Sequence, residues 1–231
     1  VQSNIIISTS TPNEYITNIA KKYDLPVYIN EGEKGIGKDW NFGISKIKTG
    51  YVTIAHQDDV YKPNYLEEIV KNIEKGNYFV IAFTDYREIK NGKEIDLTTN
   101  LKIKKALLLP LRFFKKSKFW KKRALSLGCS ICCPSVTINT KITGKSPYKT
   151  ELKCDLDWDT WDKMIEYKGK FLYIPKELMQ HRIHEESETS NLIENNIRLE
   201  EDYIMFKRYW PEPIAKFLMK FYGKAIKTNE M

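Results

Sequence analysis

No window of roughly 18 consecutive apolar residues occurs in this 231-residue chain, which excludes a membrane-spanning helix. The longest apolar stretches are Ile5-Ile6-Ile7 and Ala106 to Leu111, the second interrupted by Pro110. No secretory-signal pattern opens the sequence. Cysteine is scarce. Cys129, Cys132, Cys133 and Cys154 include an adjacent pair, which does not suit a disulfide framework in a chain this long. They read as reduced thiols in a cytoplasmic compartment. The spacing from Cys129 to Cys132 lacks a second pair and a nearby His, so buried small apolar residues are expected there and not structural zinc. Acidic residues are absent from Leu97 to Thr150, a segment that holds 13 lysines and arginines. Those cations exceed the net charge of +8, so the rest of the chain is net acidic. Such a segment calls for an anionic partner: phospholipid, a lipid-phosphate acceptor or nucleic acid.

A hydrophobic share of 42% is enough for a real core. Asn4 to Thr9 reads as a buried strand, Pro12-Asn13 as the start of a helix to Tyr23, and Pro26 to Asn30 as a second strand. A glycine-bearing loop at Gly32 to Gly37 precedes a helix from Asp39 to Ile47. A strand at Tyr51 to Ala55, a helix after Pro63 and a strand at Tyr78 to Thr84 follow. Asn91-Gly92 marks a hairpin turn. The alternation predicts an α/β fold, a Rossmann-like and mostly parallel sheet with flanking helices. Ligands in such sheets bind beyond the carboxyl ends of the strands. Residues 104–127 read as partly helical, Asp157 to Tyr167 as a helix, and Lys170 to Ile174 and Leu178 to Ile183 as strands. A helical tail from Asn191 is divided near Pro211 and Pro213. Three parts are expected: 1–96, 97–190 and the tail 191–231.

Three polar constellations carry candidate chemistry. His56-Gln57-Asp58-Asp59 directly follows a strand, and two adjacent carboxylates there suit a hard divalent cation such as Mn²⁺ or Mg²⁺. A helix cap before Pro63 is the plainer alternative. Asp155-Leu156-Asp157-Trp158-Asp159-Thr160-Trp161-Asp162 enters a helix; Asp157 or Asp159 points into a cleft as a general base, or these are first-turn acids favoured by the helix dipole. His181-Arg182-Ile183-His184 reads as a strand in which residues 182 and 184 share one face. Arg beside His suits a diphosphate–metal complex, and solvent-facing side chains at a strand end are the alternative.

Taken in order, these motifs resemble the family-two glycosyltransferases of GT-A fold. The front half is carried by Lys34-Gly35-Ile36-Gly37, Trp40-Asn41-Phe42-Gly43-Ile44, Gly50-Tyr51-Val52 and His56 to Asp59. Asp157 to Trp161, Gly169 to Pro175, and Arg182 to His184 with Ser187 and Thr189 carry the back half. The resemblance covers about residues 4–190. It implies inverting transfer of a sugar from a nucleotide-diphosphate donor to a glycan or lipid-linked hydroxyl. It places Asn41, Asp58 and Arg182 at the nucleotide-sugar, Asp59 and His184 at Mn²⁺ or Mg²⁺, and Asp157 as the base, with Asp155 its local alternative. His56 stands where the wider acid-x-acid pattern has its first acid. The family fold opens with a strand and polar loop ahead of the one matched by Ile5 to Ser8. Here Val1 precedes it directly, so a truncated or non-catalytic nucleotide- or membrane-binding module is the competing expectation. Leu107 to Leu109, Phe113, Phe114, Phe119 and Trp120 interleave with the cations of 102–123. That pattern fits an interfacial helix on the inner membrane face more than a nucleic-acid surface, so no nucleic acid is expected.

Overall fold

The computed structural model describes residues 3–76, 78–183 and 197–229, with side chains as far as residue 222. The chain opens with β1 (Ile7–Thr9), α1 (Glu14–Tyr23) and β2 (Val27–Ile29). The Asn13 side chain caps α1 by accepting from the Ile16 N–H at 2.9 Å, and Asp24 ends it in the left-handed region. β1 and β2 pair in parallel, Ile7 opposite Val27, as a two-stranded sheet of their own. α2 (Ile36–Lys46), β3 (Tyr51–Thr53), β4 (Val60–Tyr61), α3 (Tyr65–Glu74), β5 (Phe79–Lys90) and β6 (Lys93–Glu94) follow. Asn91 and Gly92, at φ 53° and 75°, make the tight turn between β5 and β6 that the Asn-Gly pair demands. Then come α4 (Thr99–Leu108), α5 (Lys118–Leu125), β7 (Val136–Asn139), α6 (Thr140–Thr143), α7 (Leu156–Met164), β8 (Lys170–Ile183), α8 (Ile197–Tyr209) and α9 (Glu212–Asn229).

The larger sheet runs β3-β7-β5-β8-β4, with β6 on β5. Its β5–β8 pair is parallel, and β3–β7, β5–β7, β4–β8 and β5–β6 are antiparallel. The α/β fold with flanking helices and a helical tail is as expected; the sheet is mixed, however, and not mostly parallel. β7, four buried residues inside the basic segment, wedges between β3 and β5 and runs against both, while β4 runs against β8 on the other side and β6 returns along β5 from the Asn91-Gly92 turn. β8 corrects a second expectation, because the two strands read at 170–174 and 178–183 are one. Ile174 lies opposite Thr84 and Glu177 opposite Asp85, so Pro175 and Lys176 bulge out of the ladder. Proline has no N–H to give a ladder and is tolerated at such a bulge.

The core gathers Ile81 and Phe83 of β5, Phe171 of β8, Trp158 and Trp161 of α7, and Phe206 of α8. α7 is therefore an internal helix, despite its acids. It approaches α2 so closely that a Cβ on Gly37 would meet Leu156 Cδ1 at 2.9 Å. This contact sets the Gly35-Ile36-Gly37 entry of α2 beside the entry of α7.

Lys121, one of the cations read as facing an anionic surface, lies inside instead, at 1% exposure. Its Nζ donates to the Gly169 carbonyl at 2.9 Å and lies 4.6 Å from the Phe171 ring centroid. Burial lowers its pKa from 10.5 to about 8; Lys118 adds to the effect and Glu166 opposes it. The unfolded chain holds that proton up to the higher value, so stability should rise with pH across the window from about 8 to 10.5. Lys121→Met should remove this rise. Urea midpoints of both proteins just below and just above the window test it, and parallel pH dependences would refute it.

Candidate active site

The chain leaves β3 at Thr53, turns through His56 to Asp59 and returns as β4. This turn is latched to the far end of β8. The backbone N–H of Arg182 donates to Asp59 Oδ1 at 3.0 Å, and Arg182 Nε donates to the Asp58 carbonyl at 2.8 Å. His56 stacks on Trp40 of α2 at 5.1 Å between ring centroids, and Trp40 in turn meets Tyr148 edge-on. Three separate stretches of sequence thus fix one polar cluster.

Within it, the donor atoms of His56, Asp58 and Asp59 all lie within 4.8 Å of one another. His56 Nδ1 is 3.8 Å from Asp59 Oδ2, and the Asp59 side chain is 1% exposed. Asp59 Oδ2 and His56 Nε2 are both buried without a hydrogen-bond partner. Burial pushes the Asp59 carboxyl up, partly offset by the Arg182 N–H and His56. Burial likewise lowers His56, outweighing the pull of Asp59 and Asp58. A neutral imidazole and a desolvated carboxylate with a spare lone pair each cost free energy as orphans. Together with Asp58 they fit a hard or borderline divalent cation.

Asp157 occupies the first turn of α7 and is half-buried. Its Oδ1 accepts from the Trp158 N–H at 2.7 Å, and Cys129 Sγ–H donates to its Oδ2 at 3.5 Å. Burial raises its carboxyl, opposed by those two donors. Asp59 and Asp157 both act electrostatically on the thiols of Cys132 and Cys133, which burial raises. The cysteine turn therefore lies in the field of both acids. All four thiols are free.

The rest of the acidic run has other partners. Asp155 is buried against Asp202, with Arg198 Nε 3.7 Å from Asp202. Burial and the neighbouring Asp202 raise Asp155 well above the carboxylate range; burial holds Asp202 at about 6 against the pull of Arg198. Asp159 is clamped by Lys163 at 2.9 Å and Arg208 at 2.5 Å. α8 also supplies Glu201, whose carboxylate accepts the backbone N–H groups of Lys153, Cys154 and Asp155 at 2.8, 2.7 and 3.0 Å. Asp162 accepts from Tyr209 Oη at 2.7 Å and lies 3.4 Å from Arg208, so of the four acids at α7 Asp157 alone is neither in the acid pair nor held by α8.

Both ends of the Asn41 amide are engaged by the Tyr148 backbone, at 2.8 and 3.0 Å. Any effect of Asn41 on a donor therefore runs through the loop that it holds. Sequence reasoning missed a network beyond β1 and β2: Ser10 Oγ donates to Asp39 Oδ2, and Asn30 Nδ2 donates to Asp39 Oδ1. The strand-end rule singles out Ser10 and Asn30 by position, but nothing local marks Asp39 as their partner. His184, Ser187 and Thr189 lie outside the described residues.

A mixed sheet with flanking helices and a cluster of His56, Asp58 and Asp59 beyond one strand is the arrangement of the GT-A class. The crystal structure of S. aureus TarS 1-349 matches 91% of this chain and 58% of its own, with a TM-score of 0.55 at 12% identity, and shares the fold. The family model described as "Glycosyl transferase family 2" matches residues 3–139, more than half of the chain, and the chain belongs to that family. An uncharacterized glycosyltransferase of Rickettsia prowazekii is 27% identical over 86% of this chain and 59% of its own length. One of Rickettsia typhi is 26% identical over 84% and 58%. The chain thus spans somewhat over half the length of these relatives.

Proposed function

We propose that this chain carries the donor site and the base of an inverting, cation-assisted transfer of a sugar from a nucleotide-diphosphate-sugar to an acceptor hydroxyl. The observation that carries this reading is the cluster of His56, Asp58 and Asp59, with the buried Asp59 Oδ2 and His56 Nε2 left unpartnered. Asp59 and His56 would hold Mn²⁺ or Mg²⁺, with His184 as a further ligand, and Asp58 would contact the donor ribose. Such a cation, when bound, neutralises charge on the departing nucleoside diphosphate. Arg182 adds a fixed positive charge beside it, steadied by its Asp58 contact. Asp157 takes the proton from the acceptor hydroxyl, which is a poor nucleophile until deprotonated. Residues 1–96 would supply the donor half and 97–190 the acceptor half. The acceptor is a glycan or a lipid-linked glycan in cell-surface polysaccharide synthesis. The basic segment 102–123 rests on an anionic membrane surface from the cytoplasmic side. Among the described residues no helix is long and apolar enough to cross a membrane.

A panel of nucleotide-sugars tests this reading. With Mn²⁺ or Mg²⁺, one donor should release its nucleoside diphosphate, and chelator should stop the release. Release undiminished in chelator would remove the cation from the reading. No release from any donor, with or without acceptor glycans, would favour a non-catalytic module.

A further inference from the structure

We infer that Phe113, Phe114 and Phe119 form a wedge that enters the headgroup region of an anionic bilayer, steered by Arg112, Lys116 and Lys122. The inference rests on the membrane reading of 102–123 and says which residues do the docking. Phe113, Phe114 and Phe119 are 80%, 51% and 62% exposed. Phe114 stacks on Trp120 at 5.6 Å and Phe119 meets it edge-on at 5.2 Å, so these rings form one cluster. A turn of 3-10 helix over Leu109–Arg112, after α4, and the start of α5 present it.

The cations around the wedge decide its partner. Arg112, Lys116 and Lys122 are exposed and pair with no carboxylate among the described residues. Lys121 is buried and Lys118 is paired with Glu166, so neither belongs to the set. An apolar protein surface closing over the phenylalanines would have to desolvate unpaired cations at its rim, which is costly. Lipid phosphates pair with those cations while the rings enter the acyl boundary. Nucleic acid fits less well, since the faces of Phe114 and Trp120 are turned to each other and not left open for a base.

The wedge also lies away from the cluster of His56, Asp58 and Asp59. The Phe171 N–H, near the start of β8, donates to the Lys115 carbonyl, whereas Arg182 latches Asp59 near its end. Eleven residues of strand separate the two contacts, on the order of 30 Å. Attachment through the wedge therefore leaves the cluster of His56, Asp58 and Asp59 uncovered.

Vesicle co-sedimentation of the full chain tests this. Phosphatidylcholine vesicles containing phosphatidylglycerol should retain the protein at low salt, pure phosphatidylcholine should retain little, and salt should release it. Phe113→Ser alters the most exposed ring and leaves the Trp120 cluster intact; it should lower retention about tenfold. Joint Arg112→Gln, Lys116→Gln and Lys122→Gln should abolish the preference for anionic lipid. Wild-type protein bound equally little by both vesicles would overturn the membrane reading itself. Anionic binding that these variants leave unaltered would overturn the wedge alone. Self-association lost in Phe113→Ser without vesicle binding would make the patch a protein interface, and a salt-sensitive shift of single-stranded oligonucleotide without vesicle binding would make it a nucleic-acid surface. Either result refutes the proposal.

Discussion

Asp59→Ala is expected to lower turnover by roughly three orders of magnitude or more, because it removes a ligand of the cation proposed to stabilise the leaving group. The carboxylate has two oxygens with separate tasks. Oδ1 accepts the Arg182 N–H and so ties the turn to β8. Oδ2 is buried with no partner, 3.8 Å from His56 Nδ1. Alanine removes both functions, so a loss of activity alone would not separate chemistry from architecture. Asp59→Asn keeps an acceptor for the Arg182 N–H and removes the charge. It should melt near the wild type, lose Mn²⁺ binding in the presence of a nucleoside diphosphate, and lose turnover nearly as fully as alanine. Titration of Mn²⁺ by electron paramagnetic resonance, beside a thermal melt, gives both readings. An asparagine variant that binds Mn²⁺ as the wild type does would move the cation away from Asp59.

The strand–helix alternation up to Thr84 was legible because each element carries its own punctuation: Asn13 for α1, Pro63 before α3, Asn91-Gly92 after β5. β7 was not, because four residues after Pro134 give too short a run to show a period. β4, only two residues long, gives still less of a pattern, so the antiparallel neighbours on both flanks of the parallel β5–β8 pair went unread. At the site, the strand-end rule and motif order singled out Asp58, Asp59 and Arg182, and the structure brings these together. What sequence could not give was pairing across long separations. Asn41 is bound by Tyr148, 107 residues away. Glu201 holds the loop ahead of α7 from 46 to 48 residues beyond. Lys121 read as one surface lysine among many until Phe171 and Gly169 enclosed it.

Asp157→Asn is expected to leave donor and cation affinity unchanged and to lower kcat by about two to four orders of magnitude, the usual share of general-base catalysis. The side chain is held by its own helix entry, through the Trp158 N–H, and by Cys129. Asparagine keeps an oxygen for the Trp158 N–H, so the fold should survive. Burial raises the Asp157 carboxyl above the ordinary 3.8. A base must be unprotonated to act, so turnover should fall as pH drops through this raised value and be complete above it. In Asp157→Asn the residual rate should lose that acid limb. Asp155→Asn separates the neighbouring candidate. Asp155 is packed against Asp202 and Arg198 beneath α8, so its replacement should act on the melting temperature before it acts on kcat. The assignment fails if Asp155→Asn removes the acid limb and lowers kcat at unchanged donor affinity while Asp157→Asn turns over like the wild type.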